Sequence, residues 1–534
     1  MSEKPNVYIL PENVSRTLGR DAQRNNILAA KVIADIVKTT LGPKGMDKML
    51  VDSSGEITVT NDGVTILEQM EVAHPAAKML VEIAKTQELE VGDGTTTAAL
   101  LGGKLLERAE TLLDKKIHPT LIVKGYRIAA EKVAEILEEL AITIDNKETL
   151  KNIAKTAMTG KGAEGNKEHL SELIVSSVDQ VAEGNIVNPD DIKIEKVKGE
   201  KVSDSELVKG IFLDTERCHK DMPSFKKQAK ILLIDFPLEV RSPETETKIS
   251  ISSPEQLDSF IASEEKYLKT ISEKIKQTGA NAVFCQKGID DIAQYYLAKE
   301  GIMAFRRITK SDMEKIARAV SSKIISNLKD ISEETLGSAE LIEEVRKGED
   351  CLTYINGCSN PKSVTLVLKG GTSHVVDETE RAVKDGLGDV ISAVKSRKVV
   401  AGGGAIEIEL ARRLRQFATT KEGREQLAIA EFANSLESIP ETLAENAGLD
   451  PIDVIAELKS RHDSGFSRDG LNLFIDKIED TFKAGIVEPL KVKTQAISSA
   501  SDVAMMILRI DDVLSNESPS QGGQMPQSHY GDFD

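Results

Sequence analysis

The chain has no tryptophan, and aromatic residues make up only 4% of its 534 residues. Aliphatic side chains must therefore form most of its hydrophobic cores. The sequence also lacks an apolar run that approaches the length of a membrane span, and residues 1–5 do not begin a signal peptide. We expect a cytoplasmic protein that has no contact with a membrane.

Cysteine is scarce as well. The chain has four cysteines, Cys218, Cys285, Cys351 and Cys358, and none of them belongs to a CxxC pair. Their spacing and the lack of an accompanying histidine cluster disfavour a zinc site. We expect reduced thiols packed in a hydrophobic core.

Positive charge is in deficit, with 69 Lys and Arg against 87 Asp and Glu and a formal net charge of −18. Binding to nucleic acid requires a basic surface, so this balance disfavours nucleic acid as a partner and mainly promotes solubility. Single hydrophobic cores stop growing well below this chain length, and we therefore expect several domains.

The most informative local pattern is GDGTTT at residues 92–97, directly before the small apolar run AALL at residues 98–101. Unpaired N–H groups and the positive end of the dipole attract phosphate to a helix N-terminus. The glycines let the backbone approach a ligand, Asp93 can ligate Mg²⁺, and the threonines can donate to phosphate oxygens. Residues 92–97 therefore indicate a phosphate site, although an ordinary Thr-capped helix has the same local pattern.

Three further segments accompany this one, at residues 41–50 (LGPKGMDKML), 60–67 (TNDGVTIL) and 401–405 (AGGGA). In this order the four segments resemble the nucleotide-site signatures of the group II chaperonins, and they are closest to the archaeal thermosome branch. The resemblance extends from Asn13 to about Leu514 through residues 117–119, 123–126, 369–372 and 487–490. Because several unrelated motifs match in order and spacing, the chain is identified as a member of this family.

The resemblance implies an ATP-dependent molecular chaperone that encapsulates non-native proteins in a double-ring chamber and promotes folding through nucleotide-driven closure of a built-in lid. It implies ATP or ADP and Mg²⁺ as cofactors. The implied partners are unfolded client proteins and identical or paralogous subunits in a stacked double ring, a hexadecamer.

Two other functions compete with this one. The first is an ATP-binding but weakly hydrolysing scaffold subunit of a mixed chaperonin ring, which the retention of Asp62, Asp93 and Asp385 disfavours. The second is a small-molecule ATPase or kinase. The chain has neither a GxxxxGKS or GxxxxGKT phosphate loop nor the kinase catalytic-loop signature, which disfavours the second.

The resemblance assigns the catalytic roles to carboxylates. Asp62 and Asp385 position or deprotonate the water that attacks ATP, and Asp93 binds the metal. From the residues alone, Asp385 lies opposite an apolar helical stripe, which favours a solvated surface carboxylate, although the neighbouring glycines are costly in a helix interior. Asp389, one turn further, is the rival for the same role.

The other implied contacts are with the nucleotide. They fall on Gly42, Pro43, Gly63, Gly94, Thr95, Thr96, Thr97, Lys161, Gly402, Gly403, Glu488 and Lys493. Bland alternatives exist for the later positions: Lys161 as a turn lysine in water, residues 402–404 as a hinge, and Glu488 with Lys493 as a surface ion pair.

Helical patterns dominate to about Ile144, and short aliphatic strands alternate with helices beyond Cys218. The resemblance implies a multidomain α and α/β fold of nested insertions: a helical equatorial ATPase domain, a small α/β intermediate domain and an α/β apical domain with a helical protrusion. The implied limits are 1–147 and 402–516 for the equatorial domain, 148–217 and 368–401 for the intermediate domain, 218–367 for the apical domain, about 242–278 for its lid protrusion, and 517–534 for a flexible tail.

One apical segment predicts a helix with a sharp start. Ser253, Pro254 and Gln256 supply an N-cap, a proline at the first helical position and the Gln of a capping box. Apolar residues then recur at helical spacing, at Leu257, Phe260, Ile261, Leu268, Ile271 and Ile275. This pattern fits a helix packed on its own domain, whereas the resemblance places the segment in the lid.

Overall fold

The computed structural model describes residues 14–516 except 56, 71, 145, 209, 240–253, 348–349 and 359–362. The helices in these residues are α1 (Gly19–Lys38), α2 (Gly63–Gln69), α3 (Pro75–Glu90), α4 (Thr95–Asp114), α5 (Pro119–Leu140), α6 (Lys147–Met158), α7 (Lys167–Val181), α8 (Pro254–Gln277), α9 (Asp291–Lys299), α10 (Lys310–Ala319), α11 (Ser373–Ser396), α12 (Ala405–Ala418), α13 (Glu425–Leu436), α14 (Ser438–Asn446), α15 (Pro451–Asp463) and α16 (Leu490–Leu508).

The strands in the same residues are β1 (Val14–Leu18), β2 (Lys48–Val51), β3 (Ile57–Thr60), β4 (Ile142–Thr143), β5 (Ile192–Lys198), β6 (Glu206–Val208), β7 (Gly210–Leu213), β8 (Phe225–Ile234), β9 (Ala282–Cys285), β10 (Met303–Phe305), β11 (Ile324–Ile325), β12 (Gly337–Lys347), β13 (Asp350–Cys358), β14 (Val364–Gly370), β15 (Lys398–Ala401), β16 (Asp469–Asn472), β17 (Lys477–Asp480), β18 (Val487–Pro489) and β19 (Asp512–Asn516). The fold mixes helices and sheets, as predicted.

Both ends of the chain build one helical core. Helix α4 is buried along much of its length, and α1, α3 and α5 pack around it with α12, α13 and α16 from the C-terminal part. Small residues allow this close packing, since a Cβ added to Gly103 would lie 2.3 Å from the Cβ of Ala34. Strands β1 and β19 also join the two ends, in antiparallel register with Val14 opposite Asn516.

A second core forms where α7 and α11 pack against the sheet β5-β14-β6 and α6 packs against these two helices. Strand β14 is buried at every position, as expected for a strand covered on both faces. It runs parallel to β5, with Val364 opposite Ile192, and antiparallel to β6. Helix α11 spans the distance from this core to the loop at residues 92–97.

The middle of the chain forms a larger sheet of order β10-β9-β8-β12-β13-β7, with β11 also paired to β8. Apolar side chains are buried in two clusters against this sheet. Helix α8 joins one of them through Leu268, Ile271 and Ile275, so its last turns belong to the core beside the sheet. The predicted N-cap Ser253 and the side chains of Leu257, Phe260 and Ile261 lie outside the described residues.

The four cysteines are free thiols. Cys285 and Cys358 are buried in the sheet clusters, and Cys218 packs against one of them. Cys351 differs from the prediction, because it is half-buried on β13 and accepts a hydrogen bond from Nε of Arg346. Burial raises the pKa of Cys285 and of Cys358 to about 11.

Within the described part of the chain, none of the helices combines the length and the apolar character that crossing a membrane requires.

Candidate nucleotide site

Distant segments of the chain converge on one cleft between the first two cores. The cleft is partly open to solvent, and its empty volume is about 1190 Å³ when that open space is included. The predicted residues that line it are Gly42, Pro43, Asp62, Asp93, Gly94, Thr95, Thr96, Thr97, Lys161, Gly403, Glu488 and Lys493. Gly63, Gly402 and Asp385 lie outside this lining.

The floor of the cleft is the N-terminus of α4. Gly94 is the N-cap residue with φ +80°, a left-handed conformation that favours glycine, and its lack of a side chain leaves the first N–H groups of α4 without a side-chain cap. Thr95, Thr96 and Thr97 follow as the first helical residues. This arrangement can bind phosphate, as the sequence predicts.

Gln87 anchors the loop at residues 92–97 by hydrogen bonding, and sequence reasoning missed this residue. Its buried Nε2 donates to the backbone carbonyl of Asp93 at 2.8 Å and to that of Val492 at 3.2 Å. The bond leaves the Asp93 carboxylate, which is 30% exposed, facing the cleft as a hard oxygen ligand. A signal was present in the sequence, because Gln87 continues the buried face of α3 set by Leu80, Ile83 and Ala84.

Asp62 is fixed as the N-cap of α2. Its Oδ2 accepts hydrogen bonds from the backbone N–H of Thr65 at 2.9 Å and from the Thr65 hydroxyl at 2.7 Å. Its Oδ1 accepts a longer bond, 3.4 Å, from the Thr95 hydroxyl. Asp62 therefore connects the start of α2 to the start of α4, and Gly63 lies in the same contact, where an added Cβ would be 2.6 Å from Oγ1 of Thr96.

Lys161 forms an ion-pair cluster with two other predicted residues, Asp385 and Asp93. Its Nζ lies 2.5 Å from Oδ2 of Asp385 and 3.6 Å from Oδ1 of Asp93. The Lys161 and Asp385 side chains are only 18% and 16% exposed, so neither is a solvated surface group. Asn61 secures the lysine loop by donating to the carbonyl of Gly160 at 2.7 Å.

The electrostatics of this pair follow from burial. Burial raises the pKa of Asp385, while the ammonium of Lys161 acts in the opposite direction. Burial lowers the pKa of Lys161, but attraction to Asp385 and Asp93 outweighs it and leaves the pKa raised. Lys161 is thus a charged group in the lining of the cleft. Asp385 lies behind this lining and is paired with Lys161.

Helix α11 can approach the phosphate loop because of Gly388. A Cβ at this position would lie 2.6 Å from the carbonyl oxygen of Val91, a distance that real Cβ atoms essentially never adopt, and 3.1 Å from the Cα of Gly92, which is tighter than most real Cβ contacts. The glycine that weakens the helix therefore allows the contact that places Asp385 and Asp389 beside residues 92–97.

A second charged group contributes Glu488 and Lys493 to the lining of the cleft. The Nζ of Lys493 lies 2.8 Å from Oε1 of Glu407 and 2.7 Å from Oε2 of Glu488, and the lysine side chain is 6% exposed. Glu488 and Lys493 are thus a buried ion pair, and Glu407 is a partner that no motif predicted. Gly402 lies beside this group, where an added Cβ would be 3.0 Å from Oε1 of Glu488.

One wall of the cleft is apolar. Leu41 and residues from several elements of the C-terminal part form it, and the C-terminal residues are Ile439, Leu443, Leu471, Leu473, Phe474 and Ile486. A helix start that can bind phosphate, a carboxylate that can bind metal and an apolar wall together suit a nucleotide.

The sequence pattern of a family described as the TCP-1/cpn60 chaperonin family matches residues 33–518. The chain belongs to this family. A thermosome subunit of Methanopyrus kandleri is 56% identical over 514 residues, which cover 95% of this chain and 94% of the relative. Thermosome subunit beta of Archaeoglobus fulgidus has the same identity and coverage. Thermosome subunit beta of Thermococcus kodakarensis is 52% identical over 534 residues, 98% of each chain.

These comparisons confirm the family that the four short motifs predicted. In this chaperonin the motifs at residues 41–50, 60–67, 92–97 and 401–405 all reach the same cleft. Asn61 belongs to the motif at residues 60–67, whereas Gln87 and Glu407 belong to none. The roles of all three were missed, because they depend on backbone carbonyls or on a partner far away in the sequence.

Proposed function

We propose that this chaperonin chain is an ATP-hydrolysing subunit of a double-ring chamber that encapsulates non-native proteins and closes a built-in lid in response to nucleotide. One observation carries the ATPase part: the N-terminus of α4, the Asp93 carboxylate and the Lys161–Asp385 pair meet in one cleft. Similarity to thermosome subunits along nearly the whole chain supports the chamber over a stand-alone ATPase.

ATP would bind with its phosphates at the start of α4 and its base against the apolar wall. Asp93 would hold Mg²⁺, since this ion prefers oxygen ligands and the Asp93 carboxylate is partly exposed in the cleft. When bound, Mg²⁺ neutralises phosphate charge and polarises the terminal phosphoryl group. The hydroxyls and N–H groups of Thr95 to Thr97 would donate to the phosphate oxygens.

Lys161 would couple binding to hydrolysis. Its ammonium pairs with Asp385, so a terminal phosphate bound in the cleft would compete with Asp385 for the same charge. Movement of Lys161 towards phosphate would free a carboxylate oxygen of Asp385 to accept a proton from the attacking water. Asp62 would help to orient that water from the other side of the α4 N-terminus.

The domain limits given above belong to this proposal. The helical core that unites both chain ends would be the equatorial ATPase domain, the core around β14 the intermediate domain, and the seven-stranded sheet region the apical domain. A hexadecamer of stacked rings, a lid at about 242–278 and a cytoplasmic location stay predictions. The weakly hydrolysing scaffold is the weaker alternative, because Asp62, Asp93 and Asp385 are all present near one cleft.

The chamber is tested by protease protection of a bound unfolded protein, with and without ATP and a transition-state mimic of the terminal phosphate. The comparison variant replaces residues 242–261 with a flexible Gly-Ser linker, which leaves Leu268, Ile271 and Ile275 in the core beside the sheet. The variant should still hydrolyse ATP, since the nucleotide cleft lies elsewhere.

We expect the intact ring to protect the client when nucleotide closes it and the shortened ring to leave the client open to protease. Equal protection by both rings would contradict the built-in lid. Failure of the intact ring to protect any client under any nucleotide condition would contradict the chamber itself.

A further inference from the structure

Asp389 is the buried carboxylate that the proposed hydrolysis does not use. It lies on α11 one helical turn after Asp385, lines the nucleotide cleft and is 2% exposed. Its Oδ1 has no hydrogen-bond partner among the described residues. Burying a carboxylate oxygen without a partner is costly, so such an oxygen needs an explanation, and a missing ion or water is a common one.

The charges around Asp389 come from four elements. The carboxylates of Asp93, Glu488 and Asp385 repel it, and Lys161 is the cation that attracts it. That ammonium already lies 2.5 Å from Asp385 and 3.6 Å from Asp93. The cation that faces Asp389 is therefore shared with two other carboxylates, and further positive charge has to arrive with a ligand.

The described residues do not form a metal cage by themselves, because no group of three or more His, Cys, Asp or Glu side chains is placed to hold an ion. A divalent cation in this cleft would therefore depend on phosphate oxygens and water as ligands. Mg²⁺ suits that arrangement, since it keeps several of its waters and binds through one or two carboxylates plus phosphate.

Asp389 directly follows the residue of α11 that contacts the loop carrying Asp93. Its neighbour Gly388 touches the loop, with an added Cβ only 3.1 Å from the Cα of Gly92, which itself precedes Asp93. Asp389 and Asp93 therefore line the same part of the cleft, Asp389 from α11 and Asp93 from the loop.

We propose that Asp389 is a positioning carboxylate for the divalent cation that accompanies the nucleotide, and that it accepts hydrogen bonds from water bound to that cation while Asp93 contacts the ion. The inference rests on the proposed nucleotide site and adds to it. Groups that hold a metal ligand in place this way typically change metal affinity by about 10–100-fold when they are removed.

The test uses Mn²⁺ as a spectroscopic probe in the assembled protein. Electron paramagnetic resonance measures the Mn²⁺ dissociation constant in the presence of saturating ADP for the wild type, Asp389→Asn and Asp389→Leu. Asp389→Asn preserves shape and removes charge, while Asp389→Leu gives a second, apolar variant. The matched control is Asp377→Asn, an exposed carboxylate on the same helix whose partner is Lys196.

We expect both Asp389 variants to bind Mn²⁺ at least about tenfold more weakly than the wild type, and the control to bind it normally. The melting temperature of the nucleotide-free protein should be higher in Asp389→Leu than in the wild type, because the variant no longer buries an uncompensated carboxylate. Normal Mn²⁺ affinity in a folded Asp389 variant that still binds ADP overturns this inference alone. A wild type that binds no Mn²⁺ with ADP overturns the proposed nucleotide site, and this inference with it.

Discussion

Two regions of the molecule that bury carboxylates differ in how many partners they provide for them. Near α12, the fully buried Glu409 accepts hydrogen bonds from Arg412 and Arg413 and contacts Nδ1 of His462 at 3.1 Å. In the nucleotide cleft, Asp385 has Lys161, which it shares with Asp93, and an oxygen of Asp389 has no partner among the described residues.

The pKa values of the two regions move in opposite directions. Burial alone would raise the pKa of Glu409, but the bonds from His462, Arg412 and Arg413 outweigh it and lower the pKa to about 2. Burial dominates in the cleft and raises the pKa of Asp385 and of Asp389. A complete set of partners marks a structural network, whereas incomplete satisfaction in a cleft marks a place where a charged ligand completes the set.

The largest effect should come from Asp385→Ala. If Asp385 accepts the proton of the attacking water, this change should slow ATP hydrolysis by roughly two or more powers of ten and leave nucleotide binding largely intact. Steady-state turnover and the ADP dissociation constant, measured together, separate the two effects. Asp377→Ala on the exposed side of α11 is the control. Near-normal turnover in Asp385→Ala would remove the residue from catalysis.

An intermediate effect is expected from Gly388→Ala, which changes no charge. The new Cβ would meet the carbonyl oxygen of Val91 and push α11 away from residues 92–97. We expect turnover to fall roughly tenfold, since small misplacements of catalytic groups are costly, and the protein to lose about 1–3 kcal/mol of stability from overpacking.

Gly371→Ala is the matched control for that change, because nothing lies within 4 Å of an added Cβ there. Turnover assays and thermal melting of both variants provide the comparison. If Gly388→Ala and Gly371→Ala behave alike, the contact between α11 and the phosphate loop does not position the catalytic carboxylates.

The smallest effect on function belongs to Glu409→Gln. The folded-state pKa of Glu409 is depressed from an ordinary value near 4.5 to about 2, so its charge stabilises the protein above pH 4.5 and loses this effect as the pH falls towards 2. Allowing for screening of the partly exposed arginines, we expect the variant to lose about 2 kcal/mol at pH 7 and to show a shallower loss of stability in acid, with normal ATP turnover.

Chemical denaturation between pH 7 and pH 3 measures that slope. Glu457→Gln is its control, since Glu457 forms an exposed pair with Arg461. A large loss of ATP turnover in Glu409→Gln would mean that the network near α12 is part of the functional site, and the contrast between the two regions would fail.

The sequence predicted the parts of the site that are local. The loop at residues 92–97 carries its own glycines, carboxylate and threonines, so both its conformation and its chemistry can be read from adjacent residues. Pairing of Lys161 with Asp385 crosses 224 positions, and here only the family resemblance brought the two into one site. Gln87 and Glu407 belong to no motif. Helical periodicity marks Gln87 as a buried position of α3 but does not reveal which backbone carbonyls it binds, and the distant Lys493 leaves no mark in the sequence beside Glu407.

The same limit applies to the fold. Helical periodicity predicted the helices of the N-terminal part to about Ile144, but no pattern indicates that β1 pairs with β19 or that α4 packs against α16. For α8, the apolar stripe is compatible with both a lid and a packed helix. The structure shows that Leu268, Ile271 and Ile275 are used in packing beside the sheet.

The contrast between the two regions is tested most directly by calorimetric titration of ADP, with and without Mg²⁺, into Asp93→Asn and Glu409→Gln. Asp93 lies in the incompletely satisfied cleft and Glu409 in the complete network, and each change replaces a carboxylate with an amide of the same shape. We predict that Asp93→Asn loses at least about tenfold of the Mg²⁺-dependent gain in ADP affinity, because Mg²⁺ prefers charged oxygen ligands, while Glu409→Gln keeps all of it. An undiminished Mg²⁺-dependent gain in Asp93→Asn, or an equal loss in both variants, would contradict the assignment of the cleft as the metal–nucleotide site.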